Sequence, residues 1–387
     1  MQYYILKYIL YVINLVIYDS NITKRSFMYH QINKIFICIL LLFLSIFTLY
    51  GFKNNTNTTT PSTIEYNGEI EHLAFNTLIS FPEKALNKTN DNSTILDETK
   101  ITPNEFKKIL QELYSNNYIL ISMKDLFIIE NNTIVFKPIL IPHNKKPLVL
   151  SFDNVTYKSS FKNNGEIDKI IIDNEGKFAT YSTKQNIQNR IAYDNEFLPI
   201  LEQFIFDNPD FSNNNAKGLI FLTINNGILG YQINPKSNSS RRDQSRITEL
   251  IKRLQKSGWE FGSNNYEYIQ DNTLSTIQFI KNITLWNKYL TPIISTTPYY
   301  SSPYGHYLDN QDQLSILKDN NFKIFFYNNF NCNLQIKNNA IFMSRKFVSG
   351  STIRNNQEEF HNLFDCKKVY DYNNRTVPFN TTQDNKL

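Results

Sequence analysis

Apolar positions along the chain follow two alternating periods. Phe106, Ile109, Leu110 and Leu113 recur at i, i+3, i+4 and i+7, the spacing of one helix face. Ahead of them Thr102 stands where an N-cap belongs, with Pro103 at the first helical position and Glu105 three beyond the cap. This pattern predicts a capped helix over 103–115. Ile247, Leu250, Ile251 and Leu254 repeat the spacing and predict a helix over 243–257, with Gly258 placed to end it. Weaker stripes predict helices over 194–206 and 272–290. Apolar runs of strand length lie between them: 118–122, 146–152 (KPLVLSF), 216–223 (AKGLIFLT), 259–262, a run near 293–296, and 322–327 (FKIFFY).

Strands separated by helices of ten or more residues imply right-handed crossovers and a parallel sheet, closed or open. In such folds chemistry sits at the carboxyl ends of the strands. Three exits stand out: Leu150-Ser151-Phe152-Asp153-Asn154, the stretch Ser263 to Tyr268 (SNNYEY), and Tyr300 to Gly305 (YSSPYG). Taken singly, each reads as turn or cap chemistry. In the second, however, Asn264 and Tyr268 stand four apart, where a pair of histidines would be a metal-site candidate.

Length and composition set the outer limits. The 387 residues hold one large domain or two modest ones plus extensions, and 41% hydrophobic content supplies a core. Asn recurs throughout, so Asn runs alone carry little meaning. A net charge of +5 suits an anionic surface such as a cell wall or lipid headgroups. The chain has no dense Lys/Arg stripe interleaved with aromatics, which argues against a nucleic-acid partner. Three cysteines without a CxxC pair argue against a disulfide scaffold or a zinc framework. Cys332 and Cys366 are the pair that could bridge, and the sequence leaves open whether they do.

The apolar run 35–50, flanked by Lys34 and Lys53, reaches the length of a tilted membrane span once Gly51 and Phe52 are included. A second apolar stretch, 3–18, is broken by Lys7 and Asn14. Lys24, Arg25 and Lys34 favour a cytoplasmic connection, which places everything after Lys53 outside. Met28, followed by a short basic segment, is an alternative start. With no clear small-x-small cleavage site, the expectation is a retained anchor, its main span 35–52, in a first region 1–53. A polar linker over 54–70 follows.

In order, the three exits read SFDN (151–154), NNYEY (264–268) and SSPYG (301–305), with KKPLVLSF leading into the first and SGWEFGS into the second. The sequence resembles the NodB-homology polysaccharide deacetylases, carbohydrate esterase family 4, in particular membrane-anchored members with a leading extension. The likeness covers roughly residues 70–375. It implies an α/β fold, a distorted (β/α) barrel over 145–375, preceded by an N-terminal extension over 71–144 and followed by a polar tail over 376–387.

In that family the exits read Ser/Thr-Phe-Asp-Asp, His-Ser/Thr-x-x-His and Arg-x-Pro-Tyr-Gly. The resemblance implies that the first Asp is the general base and that the second Asp and both His bind a divalent metal. The metal lowers the pKa of a water and polarises the acetamide carbonyl. This chain keeps the base position as Asp153 and the turn as Pro303-Tyr304-Gly305. It departs at the metal, where Asn154, Asn264 and Tyr268 stand at the ligand positions. The turn Arg is Ser301, and a family-typical His in Phe-His-x-Leu-Ile is Asn76, in Phe75-Asn76-Thr77-Leu78-Ile79. No convincing Leu-x-His near the C-terminus supplies a general acid.

Those departures remove ordinary zinc chemistry. Zinc favours imidazole and carboxylate, whereas an Asn amide oxygen is neutral and hard. A Tyr must lose a proton with a reference pKa of about 10 before it coordinates well. Without a metal, nothing brings water down from a pKa of about 15.7, and Asp153 alone cannot make up the difference. Of the five histidines, His306 follows the third motif and is best placed to face the pocket. A relocated metal site would use it with Asp153 and Glu267. His72, His143 and His361 read as surface or turn positions.

The expected protein is therefore a membrane-anchored, extracytoplasmic deacetylase-like barrel with no cofactor. Its groove, lined by Asp153, Asn154, Asn264, Tyr268, Ser301, Tyr304 and His306, would bind peptidoglycan or another N-acetylglucosamine polymer. The alternatives are an active N-deacetylase with an atypical zinc site, and a structural envelope protein without ligand.

Overall fold

The computed structural model describes residues 63–130, 133–157, 164–183, 185–233 and 240–380. The predicted anchor over 35–52, Met28, His30, Cys38 and the end of the tail lie outside them. Among the described residues no helix is long and apolar enough to cross a membrane.

Seven parallel strands of the described residues follow one another around a ring in chain order. They are β1 (Glu71–Phe75), β2 (Lys146–Phe152), β3 (Leu219–Leu222), β4 (Glu260–Ser263), β5 (Tyr299–Ser301), β6 (Ile324–Asn328) and β7 (Ala340–Phe347). β7 pairs back onto β1 through Lys346↔Leu73 and Phe347↔Ala74, and β2 reaches β3 through Ser151↔Leu219, so the sheet is a closed barrel. Helices α1 (Pro103–Ser115), α2 (Phe197–Asp207), α3 (Ser240–Ser257), α4 (Thr276–Ile294) and α5 (Gln311–Asp319) return the chain after β1 to β5. Between β6 and β7 the strand Leu334–Lys337 folds back antiparallel on β7 instead. The barrel is irregular there.

Alternation along each strand sorts the core into two layers. On β2, Leu148, Leu150 and Phe152 join the large cluster beneath the helices, while Val149 joins a second cluster inside the ring. On β7, Phe342 takes the helix side, and Ile341 and Met343 the inner side. Leu219, Phe221, Tyr299, Ile324 and Phe326 extend the inner layer, with Phe127 and Ile134 from the antiparallel pair Phe127–Glu130 and Thr133–Phe136 packed in the same cluster. Gly262 stands between Phe221 and Tyr299, where a Cβ would come within 2.6 Å of the Phe221 ring. Because both faces are buried, strands such as β2 and β6 read as continuous apolar runs.

Local signals place most elements. Thr102 and Glu105 form the predicted capping box at α1, and Gly258 ends α3 with φ +107. Two differences have physical causes. The strand expected near 293–296 is the last turn of α4, because Leu290, Ile293 and Ile294 bury a helix face; the strand follows as β5. The segment 71–144, expected as an extension, supplies β1, a barrel strand. Its five residues carry Glu71 and His72, too short and too polar to announce a buried strand.

His72 is thereby corrected. It is not at a surface or a turn but 2% exposed inside the ring. Its Nε2 lies 2.8 Å from Ser151 Oγ. Burial, then the Arg345 guanidinium, holds its imidazole well below the ordinary value, so the ring is neutral. His143 and His361 are exposed. Cys332 and Cys366 are free thiols, and Cys332 donates to the Glu71 carboxylate at 3.2 Å.

Candidate functional site

The carboxyl ends of the strands carry the site. One residue past β2, Asp153 continues the inward alternation Val149, Ser151, and its N–H donates to Phe75 O at 2.8 Å. Arg345 stands two residues beyond Met343 on the inner face of β7. Its Nη1 and Nη2 each donate to one Asp153 oxygen at 2.8 Å. Nη1 also donates to Ser151 Oγ at 3.2 Å, and Nη2 to Ser301 Oγ at 2.8 Å and Asn328 Oδ1 at 3.2 Å. The guanidinium lies over the Phe221 ring, 5.2 Å from its centroid. A planar fork matched to a carboxylate is the geometry that arginine supplies and lysine cannot. Both side chains are buried, Arg345 at 0% and Asp153 at 3% exposure. Asp153 is held rigidly by this partner.

Asn264, at the exit of β4, is fully buried and both ends of its amide are engaged. Its Oδ1 accepts the Asn154 N–H at 3.0 Å, and its Nδ2 donates to Ser301 O at 3.0 Å. One side chain thus ties the exits of β2, β4 and β5 together. Beside it Asn265 accepts the Tyr268 N–H at 2.8 Å and donates to Asp271 Oδ1 at 2.9 Å. Asp271 also accepts Tyr300 OH at 2.8 Å and Ser302 Oγ at 2.6 Å. Burial pushes the Asp271 carboxyl above its ordinary value, against those hydrogen bonds.

Above this brace lies a cavity of about 290 Å³, lined by Asp153, Asn154, Tyr268, Tyr304 and Asn328, and by Asn76 on the β1 side. The Tyr268 and Tyr304 rings meet at 5.0 Å between centroids, with Tyr304 62% exposed at the rim. Asn154, Tyr268 and Tyr304 all hold positive φ, 53°, 56° and 62°. That region is uncommon for residues other than glycine, and its clustering marks a site that the surrounding structure over-determines.

The candidate residues therefore separate. Asp153, Asn154, Tyr268 and Tyr304 line the cavity. Asn264 and Ser301 do not, and act behind it as a brace and as a hydrogen-bond partner of Arg345. His306 is exposed and outside the lining, as is Glu267, so the pair does not assemble a relocated metal site with Asp153. The residue that sequence reasoning missed is Arg345. It reaches the Asp153 carboxylate from β7 and also donates to Ser301 Oγ, at the position where the resembled motif carries an arginine. The only signal was a Ser-Arg-Lys ending an otherwise apolar run.

The three positions implied as metal ligands do not suit zinc. The Asn264 oxygen already accepts a backbone N–H, and Asn154 offers a neutral amide. Burial, then the Asp153 carboxylate, pushes the Tyr268 phenol well above its ordinary value, away from the phenolate that coordination needs. Among the described residues no three His, Cys, Asp or Glu side chains are grouped to hold a metal ion.

No protein-family model matches the chain, and no curated protein matches it. Among solved structures it is similar to the Streptococcus pyogenes deacetylase PplD in complex with acetate, at 15% identity and a TM-score of 0.44, covering 74% of this chain and 95% of that one. It is similar to IcaB from Ammonifex degensii at 14% identity and a TM-score of 0.40, covering 74% and 94%. A de-N-acetylase from Aggregatibacter actinomycetemcomitans matches at 13% identity and a TM-score of 0.43, covering 77% and 100%. The barrel itself is established by its own strand register.

Proposed function

We propose that this chain is a deacetylase-like barrel that works by binding and has no hydrolytic metal centre. Its groove would hold an N-acetylated cell-wall or surface glycan, and the apolar segment 35–52 would tether it to the outside of a membrane. The observation that carries the reading is Asn264. At a position the motif assigns to a metal ligand, its amide is spent on Asn154 N–H and Ser301 O, and the strand exits are braced by it. The site is built around the amide rather than damaged by it.

What surrounds the cavity suits a sugar. Asn side chains offer donors and acceptors to hydroxyls and acetamides. Tyr268 and Tyr304 present aromatic faces at the rim. A volume of about 290 Å³ sits at the small end of ligand pockets.

Titration calorimetry of the purified protein with N-acetylglucosamine oligomers tests the binding. Heat saturating at one site per chain is expected, and its absence at millimolar oligomer defeats the proposal. Elemental analysis and an acetate-release assay with added zinc, cobalt and manganese test the rest. Stoichiometric metal with metal-dependent acetate release, abolished by Asp153→Ala, would make the protein an active deacetylase instead.

A further inference from the structure

The cavity lining extends beyond the strand-exit motifs to a second group of residues. Asn76 and Thr77 come from the exit of β1, Lys100 from just before α1, and Tyr157 and Glu166 from the connection after β2. The buried Lys100 ammonium contacts the Glu166 carboxylate and the Thr77 hydroxyl. Leu96 and Phe347 supply an apolar side.

Two polar atoms in this group, Asn76 Oδ1 and the Tyr157 hydroxyl, are buried with no hydrogen bond of good geometry among the described residues, the Tyr157 hydroxyl lying toward the Glu196 carboxylate. Tyr157 is 2% exposed and holds a left-handed φ of 57°. Asn76 Nδ2 donates to Thr99 O at 3.1 Å, which orients its amide so that the oxygen is the free end. Asn154 Oδ1, on the side toward Asp153, is a third buried atom without a partner. Native proteins leave few such atoms, because each destabilises the fold. Three in the lining of one cavity, two of them amide oxygens, call for a ligand that donates hydrogen bonds.

We propose that this part of the cavity is a second subsite, distinct from the Asp153 end, that takes the hydroxyl edge of a neutral pyranose ring. The proposal rests on the glycan-binding reading above and names what this part of the cavity would recognise. Separate ring hydroxyls donate to Asn76 Oδ1 and to Asn154 Oδ1, and a hydroxyl either donates to or accepts from Tyr157. A carboxylate or phosphate would bring only acceptors to the two amide oxygens. The charges of Lys100 and Glu166 offset each other, so an ionic ligand would be desolvated without a counter-charge. Leu96 and Phe347 suit the C–H face of the ring.

The test is titration calorimetry of the full chain with a tetramer of N-acetylglucosamine, using wild type, Tyr157→Phe and Asn76→Leu, beside thermal melts without ligand. Tyr157→Phe removes the hydroxyl at nearly constant volume, and Asn76→Leu removes the unpartnered oxygen together with the Nδ2 donor to Thr99 O. Tyr157→Phe is expected to melt at or above the wild-type temperature, Asn76→Leu somewhat below it, and both to bind the tetramer about five- to tenfold more weakly. Should Asn76→Leu fail to fold, Tyr157→Phe carries the test alone. Equal affinity in wild type and variants overturns the subsite and leaves the glycan reading standing, whereas no binding by wild type overturns both. A lower melting temperature for Tyr157→Phe with unchanged affinity reveals a structural hydrogen bond there and overturns the subsite as well.

Discussion

Arg345 and Asp153, 192 residues apart in the chain, meet inside the barrel as a bidentate pair with both N···O distances at 2.8 Å. Neither side chain can be removed alone without stranding the other as a buried charge. Arg345→Met should therefore destabilise the protein by about 3–5 kcal/mol, and adding Asp153→Leu should restore much of that loss. Urea denaturation of the two single variants and the double variant measures it. Additive losses would show that the pair is not coupled.

Asp271 joins the loop after β4 to the loop after β5 through Asn265, Tyr300 and Ser302. Asp271→Ala leaves three buried donors without their acceptor and is expected to cost about 2–4 kcal/mol. The two loops should also become the first sites of limited proteolysis. Asp271→Asn, which keeps one acceptor oxygen, should lose less on both measures.

Glu196 caps α2 from a fully buried position, accepting the N–H groups of Leu78 at 3.0 Å and Phe197 at 2.8 Å. Burial pushes its carboxyl up from 4.5 to about 8, against those hydrogen bonds and the Lys100 ammonium. Between these two values the folded state holds the proton that the unfolded chain has released, so stability falls as pH rises through that window. The slope contributed is at most about 1.4 kcal/mol per pH unit. Glu196→Gln keeps an acceptor for both N–H groups and cannot ionise. It should match wild type near pH 5 and exceed it near pH 8. Parallel slopes for the two proteins would defeat this.

Tyr304 holds φ +62 at the rim, with its ring against Tyr268. Tyr304→Gly relieves the left-handed backbone and removes the ring together. Stability is expected to stay within about 1 kcal/mol of wild type. Affinity for N-acetylglucosamine oligomers should fall about five- to tenfold, read by calorimetry.

How much of this was legible in the sequence depended on range. The helix Pro103–Ser115 was readable because its cap, its first-turn proline and its apolar stripe lie within a few residues of one another. The strand Lys146–Phe152 was readable because both of its faces are buried and its apolar run is unbroken. β1 and the position of β5 were not. Five residues containing Glu and His give no strand signal, and Ile293 with Ile294 satisfies a helix face as readily as a strand. His72 looked like a surface residue because nothing local announces the Ser151 hydroxyl that receives it.

The sequence by itself determined the alternation of strands and helices, the three strand exits in their order, and the loss of imidazole and carboxylate from the implied metal positions. These are local facts of spacing and side-chain chemistry. Only the tertiary structure decided that the sheet closes and that β7, not the turn at Ser301, delivers the guanidinium to Asp153. It also decided that Asn264 is a brace and that His306 is exposed and outside the cavity lining. Those relationships join residues far apart in the chain, and barrel closure brings their side chains onto one inner face. Before closure, neither end of the Arg345–Asp153 pair carries a signal of the other.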